Sequence, residues 1–512
     1  MLKSSSRTSF SVVASKLPLL FVMSDIELTK VNEVYLHVRA EPHILAEMGD
    51  HFTFLVPGHQ FMPAFRNRIW DGKIRLLDTR NQTIYAGLLH HIEQFAQDRD
   101  YDIAYPSDLN IASSFSLHEG NEFASSLNLP FDPRDYQTEA FVTCVRDHRK
   151  LILCPTGSGK SLIAYLLTRY YQQQCEGKIL IIVPTISLVN QLYADFADYA
   201  RNDEWNAEEN VHRIMQGKSK ATDLPIVIST WQSAYKLPKK WFDQFDVVIG
   251  DEAHQFQAKS IQTMMTKMTD VKYRFGMTGT LTDAKTHSLV LEGLFGRIRK
   301  IIKTKDLQDA GHLAKLQIKA VALKYPKDQC RQVAKMKYHE EIDFLVTNQK
   351  RNTFIRNLAL SLSGNTLVLF NFVEKHGNVL HRMIEEKAEN KQVFYVWGGT
   401  DAELREQVRT ITEENDDVII VASAGVFSTG VNIKNLHNVI FSHPGKSKIR
   451  VLQSIGRVLR TTETKNAATL YDIVDDLTNG KQKNFATTHF IERHKYYVSE
   501  KFPVKLYKVE VK

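Results

Sequence analysis

Leu151-Ile152-Leu153-Cys154-Pro155-Thr156-Gly157-Ser158-Gly159-Lys160-Ser161 passes from a short apolar run into a glycine-rich turn, and Lys160-Ser161 then opens an amphipathic segment that reaches Gln174. This pattern predicts a strand, a loop and a helix start. Free backbone N–H groups at a helix N-terminus form an anion site, and glycines let the backbone approach the anion closely. Lys160 adds a point charge for outer phosphates, and Ser161 offers a hydroxyl to Mg²⁺. Pro155, Thr156, Gly157, Ser158, Gly159, Lys160 and Ser161 are therefore the expected nucleotide-phosphate loop. Cys154 departs from the usual pattern, which has glycine there, and a turn that only shapes a surface is the competing reading.

Working outward, apolar runs alternate with helical patterns on both sides of this loop. The runs at 151–155, 179–184, 226–230, 247–250 and 275–278 are near-continuous, as expected of parallel strands covered on both faces. A second set follows at 366–371, 393–396, 418–422, 439–442 and 469–473. The expected fold class is α/β, with two parallel-sheet domains in tandem behind a small α+β N-terminal domain. The predicted boundaries are 24–105 for the small domain, 131–303 for the first large domain and 346–480 for the second. Residues 106–130, rich in Ser and Asn, read as a linker, 304–345 as a Lys-rich connector, and 481–512 as a basic tail. Residues 1–23 combine basic and serine residues with a short apolar stretch broken by Pro18, and read as a disordered or spurious extension rather than a targeting peptide.

With 512 residues the chain has room for about three domains. Its composition, 43% hydrophobic and 24% charged, is that of a globular protein, and no apolar run approaches the roughly 20 residues that span a membrane. The net charge of +8 is compatible with polyanionic partners. Four cysteines without CxxC spacing argue against a zinc site or a disulfide framework and suit a reducing cytosol.

The apolar run 247–250 leads directly into Asp251-Glu252-Ala253-His254. That places two carboxylates at the carboxyl edge of the sheet, where open α/β sheets bind ligands. Asp251 is expected to hold Mg²⁺ and Glu252 to polarise an attacking water. Gln137, ahead of the phosphate loop, could read an adenine edge. Thr185, Thr230 and Trp231 end strands with groups suited to a bound nucleic-acid strand. Arg457 and Arg460, three apart, share one helix face from which they could reach a γ-phosphate across a cleft. In the small domain, Phe65 to Arg75 interleaves Arg66, Arg68, Lys73 and Arg75 with Trp70, a mixture suited to phosphate contact and base stacking, or else a hairpin with a solvated charged face.

Taken in order, Gln137, 155-PTGSGKS-161, 183-VPT-185, 229-STWQ-232, 251-DEAH-254, 278-TGT-280, 427-FSTGVN-432 and 453-QSIGRVLR-460 resemble the motif series of superfamily 2 helicases with two RecA-like lobes. The resemblance implies ATP and Mg²⁺ in the cleft between lobes and nucleic acid across both. It implies that Gly430 and Gln453 join the nucleotide site, and that His254 with Thr278–Thr280 couples hydrolysis to lobe movement. Asn432 departs from the aspartate common in relatives. A closer resemblance, carried by 65-FRNRIWDGKIRLLD-78, 178-KILIIVPT-185, 424-AGVFSTG-430 and 451-VLQSIGRVLR-460, is to the UvsW family of phage helicases. It implies a catalyst of phage recombination, repair and replication in the bacterial host cytoplasm, with branched duplex DNA (forks, Holliday junctions) and RNA–DNA hybrids such as R-loops as partners. Phage single-strand-binding or recombination proteins are further candidate partners. Two lobes in one chain make a monomer sufficient for hydrolysis. An ATP-gated clamp without strand separation, and the motor subunit of a restriction enzyme, are the alternatives; no nuclease cluster is visible outside the lobes.

Overall fold

The computed structural model of the protein describes residues 24–110, 113–215, 219–281, 285–429, 433, 435–459, 465 and 467–511. The apolar run before the phosphate loop forms the strand Arg149–Leu153, inside an all-parallel sheet of seven strands. From edge to edge the sheet runs Val211–Ile214, Ile226–Thr230, Lys178–Val183, Phe245–Asp251, Tyr273–Thr278, Arg149–Leu153 and Ile298–Lys300. The central strands are buried along their length because helices cover both faces, as the unbroken apolar runs require. The outer strands Val211–Ile214 and Ile298–Lys300 escape a reading of apolar runs because they carry His212 and Arg213, or Arg299 and Lys300, among their three or four residues.

The second lobe repeats the architecture: seven parallel strands ordered Val393–Val396, Ile419–Ser423, Thr366–Phe370, Asn438–Phe441, Ala467–Asp476, Lys315–Lys324 and Val504–Glu510. Two of these lie outside the expected second domain. Lys315–Lys324 comes from the stretch read as a connector, and Val504–Glu510 from the stretch read as a tail. Lys315, Lys319 and Lys324 gave that stretch its basic look, yet Leu316, Ile318, Ala320 and Leu323 are buried. The tail also supplies helix Phe485–Ser499, whose Arg493 and Tyr497 both bond to the buried Asp472 at 2.7 and 2.8 Å. A second buried ion pair lies three residues further along the strand that carries Asp472, Ala467–Asp476. Arg351, fully buried, donates to Asp475 at 2.7 and 3.0 Å and to the Ser442 carbonyl at 2.7 Å.

The residues read as a linker also fold. Ser116 caps helix Leu117–Ser126 with a reciprocal Glu119 bond, and Phe123 stacks on Phe141 of helix Asp135–Asp147 with ring centroids 5.5 Å apart. Serines that suggested a flexible spacer are here a helix start.

The small N-terminal domain has a five-stranded mixed sheet and a two-stranded hairpin, Thr53–Leu55 with Lys73–Arg75. Its apolar face, Ile26, Leu28, Leu36, Val38, Ile84, Ile92 and Phe95, belongs to the same buried cluster as Leu151, Val248, Leu291 and Phe295 of the first lobe. Arg149 adds a bond to the Glu33 carbonyl at 2.9 Å. Domain and lobe share one core, so the domain sits on the first lobe as a fixed attachment.

Candidate active site between the lobes

Gly159 adopts φ 80°, in the left-handed region, and turns the chain from the loop into helix Lys160–Gln174. Pro155, Thr156 and Gly157 line the half-buried loop with Ser158 buried beneath. The Lys160 ammonium lies 3.4 Å from the carbonyl oxygens of Cys154 and Pro155. Cys154 itself is fully buried, and burial pushes its thiol up to about 11, so it stays an inert apolar filler. Ser161 Oγ is 2.8 Å from the Tyr199 hydroxyl.

Strand Phe245–Asp251 is one strand removed from the strand feeding the loop, with Tyr273–Thr278 between them. All three are parallel, so their carboxyl ends meet on one edge. Asp251 accepts the Glu252 N–H at 2.8 Å, and Glu252 sits at φ 48°, a conformation unusual for a side-chain-bearing residue. Burial and then the neighbouring Glu252 charge push the Asp251 carboxyl up, while Lys160 opposes them. For Glu252, burial acts upward but is outweighed by the His254 hydrogen bond and the charges of Lys160, His254 and Arg457, so it is held below the usual range. One acid of the pair is thus firmly ionised and the other is short of positive charge.

His254 Nδ1 lies 3.2 Å from Glu252 and 3.0 Å from Thr278 Oγ1, and the Thr278 hydroxyl donates to the Thr280 carbonyl at 3.1 Å. This buried relay runs from the acid pair to the end of the adjacent strand. The second lobe meets it through helix Lys448–Val458. Gln453 Nε2 approaches Glu252 Oε2 at 3.4 Å, and Arg457, half-buried with its guanidinium 5.8 Å from the Phe427 ring centre, stands close enough to depress the Glu252 carboxyl. At Gly456 the helix backbone touches the phosphate loop: a Cβ there would fall 2.5 Å from Thr156 Cβ. Only glycine permits that approach.

Several expected residues make contacts within the chain that the sequence reading did not include. Gln137 is buried; its Oε1 accepts the Arg134 N–H and its Nε2 donates to the Ser158 carbonyl, both at 2.9 Å. It braces the phosphate loop, with one donor and one lone pair left for a base. Thr185 and Thr230 each cap the helix that follows, and Thr230 is 4% exposed. Trp231 packs half-buried, its ring 5.8 Å from that of Tyr235. In the small domain Arg66, Arg68 and Lys73 are exposed, and Trp70 is half-buried with Nε1 donating to the Lys73 carbonyl at 2.8 Å. Arg75 is tied to Asp71 at 2.5 Å, so its charge is matched locally. Arg460, Gly430 and Asn432 lie outside the described residues. Tyr199 and Tyr136, whose hydroxyl donates to the Ser158 carbonyl at 2.8 Å, were not singled out from the sequence; nothing in a tyrosine 38 residues from Ser161 announces the contact.

A phosphate loop, an acid pair and a polar relay on one lobe, faced by a glutamine and an arginine from a second lobe of the same build, define an ATPase motor of the two-lobed helicase class. Comparison with known proteins is consistent along the chain. Residues 25–105 match the family described as DNA helicase UvsW, N-terminal. Residues 130–283 match Type III restriction enzyme, res subunit, and 349–462 match Helicase conserved C-terminal domain. The ATP-dependent DNA helicase uvsW of Enterobacteria phage T4 is 37% identical over 490 residues, covering 91% of this chain and 96% of that protein. The crystal structure of T4 UvsW superposes with a TM-score of 0.51 at 34% identity, over 95% of this chain and 100% of that one. The DNA-bound Type ISP restriction-modification enzyme LlaBIII, at 15% identity and a TM-score of 0.54 over 81% of this chain and 34% of that one, shares the fold alone. The chain belongs to the UvsW family and is an ATP-dependent DNA helicase.

Proposed function

We propose that this helicase remodels branched DNA, by fork regression and branch migration of four-way junctions, and unwinds RNA–DNA hybrids such as R-loops, in phage recombination, repair and replication within the host cytoplasm. The observation that carries this reading is the small domain: it shares a core with the first lobe and holds out a segment on which Arg66, Arg68 and Lys73 are exposed beside Ile69, 79% exposed. A fixed basic and apolar projection beside a motor can grip one arm of a branch while the lobes pull another.

In the mechanism proposed, Lys160 and the loop N–H groups hold the β- and γ-phosphates of ATP, and Glu252 orients the attacking water. The donor set of Asp251 and Ser161, two hard oxygens with the acid short of positive charge, fits Mg²⁺, which when bound neutralises phosphate charge. Arg457, with Arg460, stabilises charge on the transferring phosphoryl group when the lobes close, and Gln453 reports that closure to Glu252. The His254–Thr278–Thr280 relay carries the state of the γ-phosphate to the strand ends beside the second lobe. Residues 24–105, 131–303 and 346–480 remain the three working units in this reading, with the strands and helices of 304–345 and 481–512 added to the last.

The test is ATPase rate against single strand, blunt duplex, fork, four-way junction and R-loop, with strand separation scored in parallel. Stimulation together with remodelling of fork, junction or R-loop supports the proposal. Stimulation without displacement of any strand refutes it and makes the protein an ATP-gated clamp.

A further inference from the structure

Among the described residues, three potential metal ligands from two different domains meet at one point, and none of them belongs to the candidate ATP site. His90 and His91 lie in the first turn of helix Leu89–Gln97 of the small domain, and Glu292 on helix Lys285–Phe295 of the first lobe. His90 Nε2 is 2.9 Å from Glu292 Oε2, and His91 Nε2 is 3.4 Å from Glu292 Oε1. The three ligand atoms all lie within 4.8 Å of one another. The Glu292 side chain is 9% exposed. His91 Nε2 is buried without a hydrogen-bond partner.

We propose that His90, His91 and Glu292 form a binding site for a divalent transition-metal ion of the Zn²⁺ class, which fastens the small domain to the first lobe. Two imidazole nitrogens and one carboxylate are a donor set suited to Zn²⁺, with a water completing the tetrahedron. Zinc bonds of about 2.0–2.2 Å in a tetrahedron set neighbouring donors roughly 3.3 Å apart. The His91 Nε2–Oε1 spacing of 3.4 Å and the His90 Nε2–Oε2 spacing of 2.9 Å are both close to that value, and because they run to different oxygens a small turn of the Glu292 carboxylate brings one oxygen to the ion. A cation between the rings also gives the stranded His91 nitrogen a partner, which a single carboxylate at its present distance does not. Glu292 Oε2 also accepts the Ile298 N–H at 3.4 Å, the kind of support that orients a ligand. The helix start that carries the histidines is mildly unfavourable to a cation, an effect of about 0.3–1 kcal/mol that the buried carboxylate at contact distance outweighs.

The test uses the full chain without nucleotide. Zn²⁺ and Co²⁺ are titrated by calorimetry and absorption, metal content is measured after dialysis, and thermal unfolding is followed with and without Zn²⁺. One tightly held ion per chain is expected, with the tetrahedral visible bands of Co²⁺ and a Zn²⁺-dependent rise in unfolding temperature. Affinity should fall at least about tenfold in His91→Ala and in Glu292→Gln, and the temperature rise should vanish with it. Absence of stoichiometric binding overturns the proposal, as does binding unchanged in both variants. A sulfur-to-cobalt charge-transfer band also overturns it, by placing the ion on a cysteine. Should His91→Ala not fold, Glu292→Gln, nearly isosteric with the parent, decides alone.

Discussion

Gly456→Ala isolates the contact between the lobes. The added methyl would stand 2.5 Å from Thr156 Cβ and 3.0 Å from Thr156 Oγ1. Carbon atoms rest at about 3.5–4.0 Å, so the helix must retreat from the phosphate loop by roughly 1–1.5 Å. The same helix carries Gln453, now 3.4 Å from Glu252, and Arg457, and both would be drawn off the acid pair together. A displacement of about 1 Å in positioned groups costs on the order of 10² in rate, equivalent to about 2.7 kcal/mol of transition-state stabilisation. The helix itself should gain, since alanine is favoured over glycine in a helix interior by up to about 1 kcal/mol. Turnover and stability should therefore move apart. DNA-stimulated ATP hydrolysis at saturating substrate should drop about a hundredfold, chiefly in kcat, with an unfolding temperature equal to or above that of the parent. Turnover within about threefold of the parent would refute the reasoning, because a contact that can be wedged open by that distance without loss cannot be part of the working geometry. Loss of turnover together with a lowered unfolding temperature would refute it too, by making the defect one of folding.

Glu252→Gln keeps the shape and the His254 contact but removes the charge that orients water; hydrolysis should fall by at least about 10² while binding of single-stranded DNA, measured by anisotropy, persists. Lys160→Ala should likewise abolish turnover and, unlike Glu252→Gln, weaken nucleotide binding in a fluorescent-ATP titration. Reversing Arg66, Arg68 and Lys73 to glutamate should weaken fork binding and flatten the slope of log affinity against log salt by roughly 2–3, whereas reversing Arg75, already matched by Asp71, should change it less. Asp475→Ala leaves Arg351 buried and unpaired, and should destabilise the second lobe by about 3–5 kcal/mol in chemical unfolding.

What could be read from the chain divides along physical lines. The ten expected strands are all present because a strand buried on both faces must be apolar along its length, as Lys178–Val183 and Thr366–Phe370 are. The phosphate loop and the acid pair were legible because short-range chemistry dictates their residue types at short spacing. Strand Lys315–Lys324 was hidden because its lysines mimic a solvated connector, and only pairing with a strand far along the chain makes it structural. Helix Leu117–Ser126 was hidden because a serine that caps and a serine that loosens look alike without the partner. The duties of Gln137, Thr230 and Tyr199 depend on which backbone or hydroxyl group the fold sets beside them, and no local pattern encodes that.

The placement of Lys315–Lys324 within its sheet bears on how the protein is made. Its parallel pairing with Ala467–Asp476 joins residues 152 apart, and its other edge waits for Val504–Glu510. Pairing over such separations is slow, because long loops must close before any contact rewards them. The first lobe draws its sheet from residues 149–300 and can close while synthesis continues, with the small domain already seated on it. At about 5–20 residues per second, the strand 315–324 then spends on the order of ten seconds or more outside the ribosome with both edges bare. During that interval the nascent chain is a half-built motor with an open strand to offer, and chaperone demand should concentrate there.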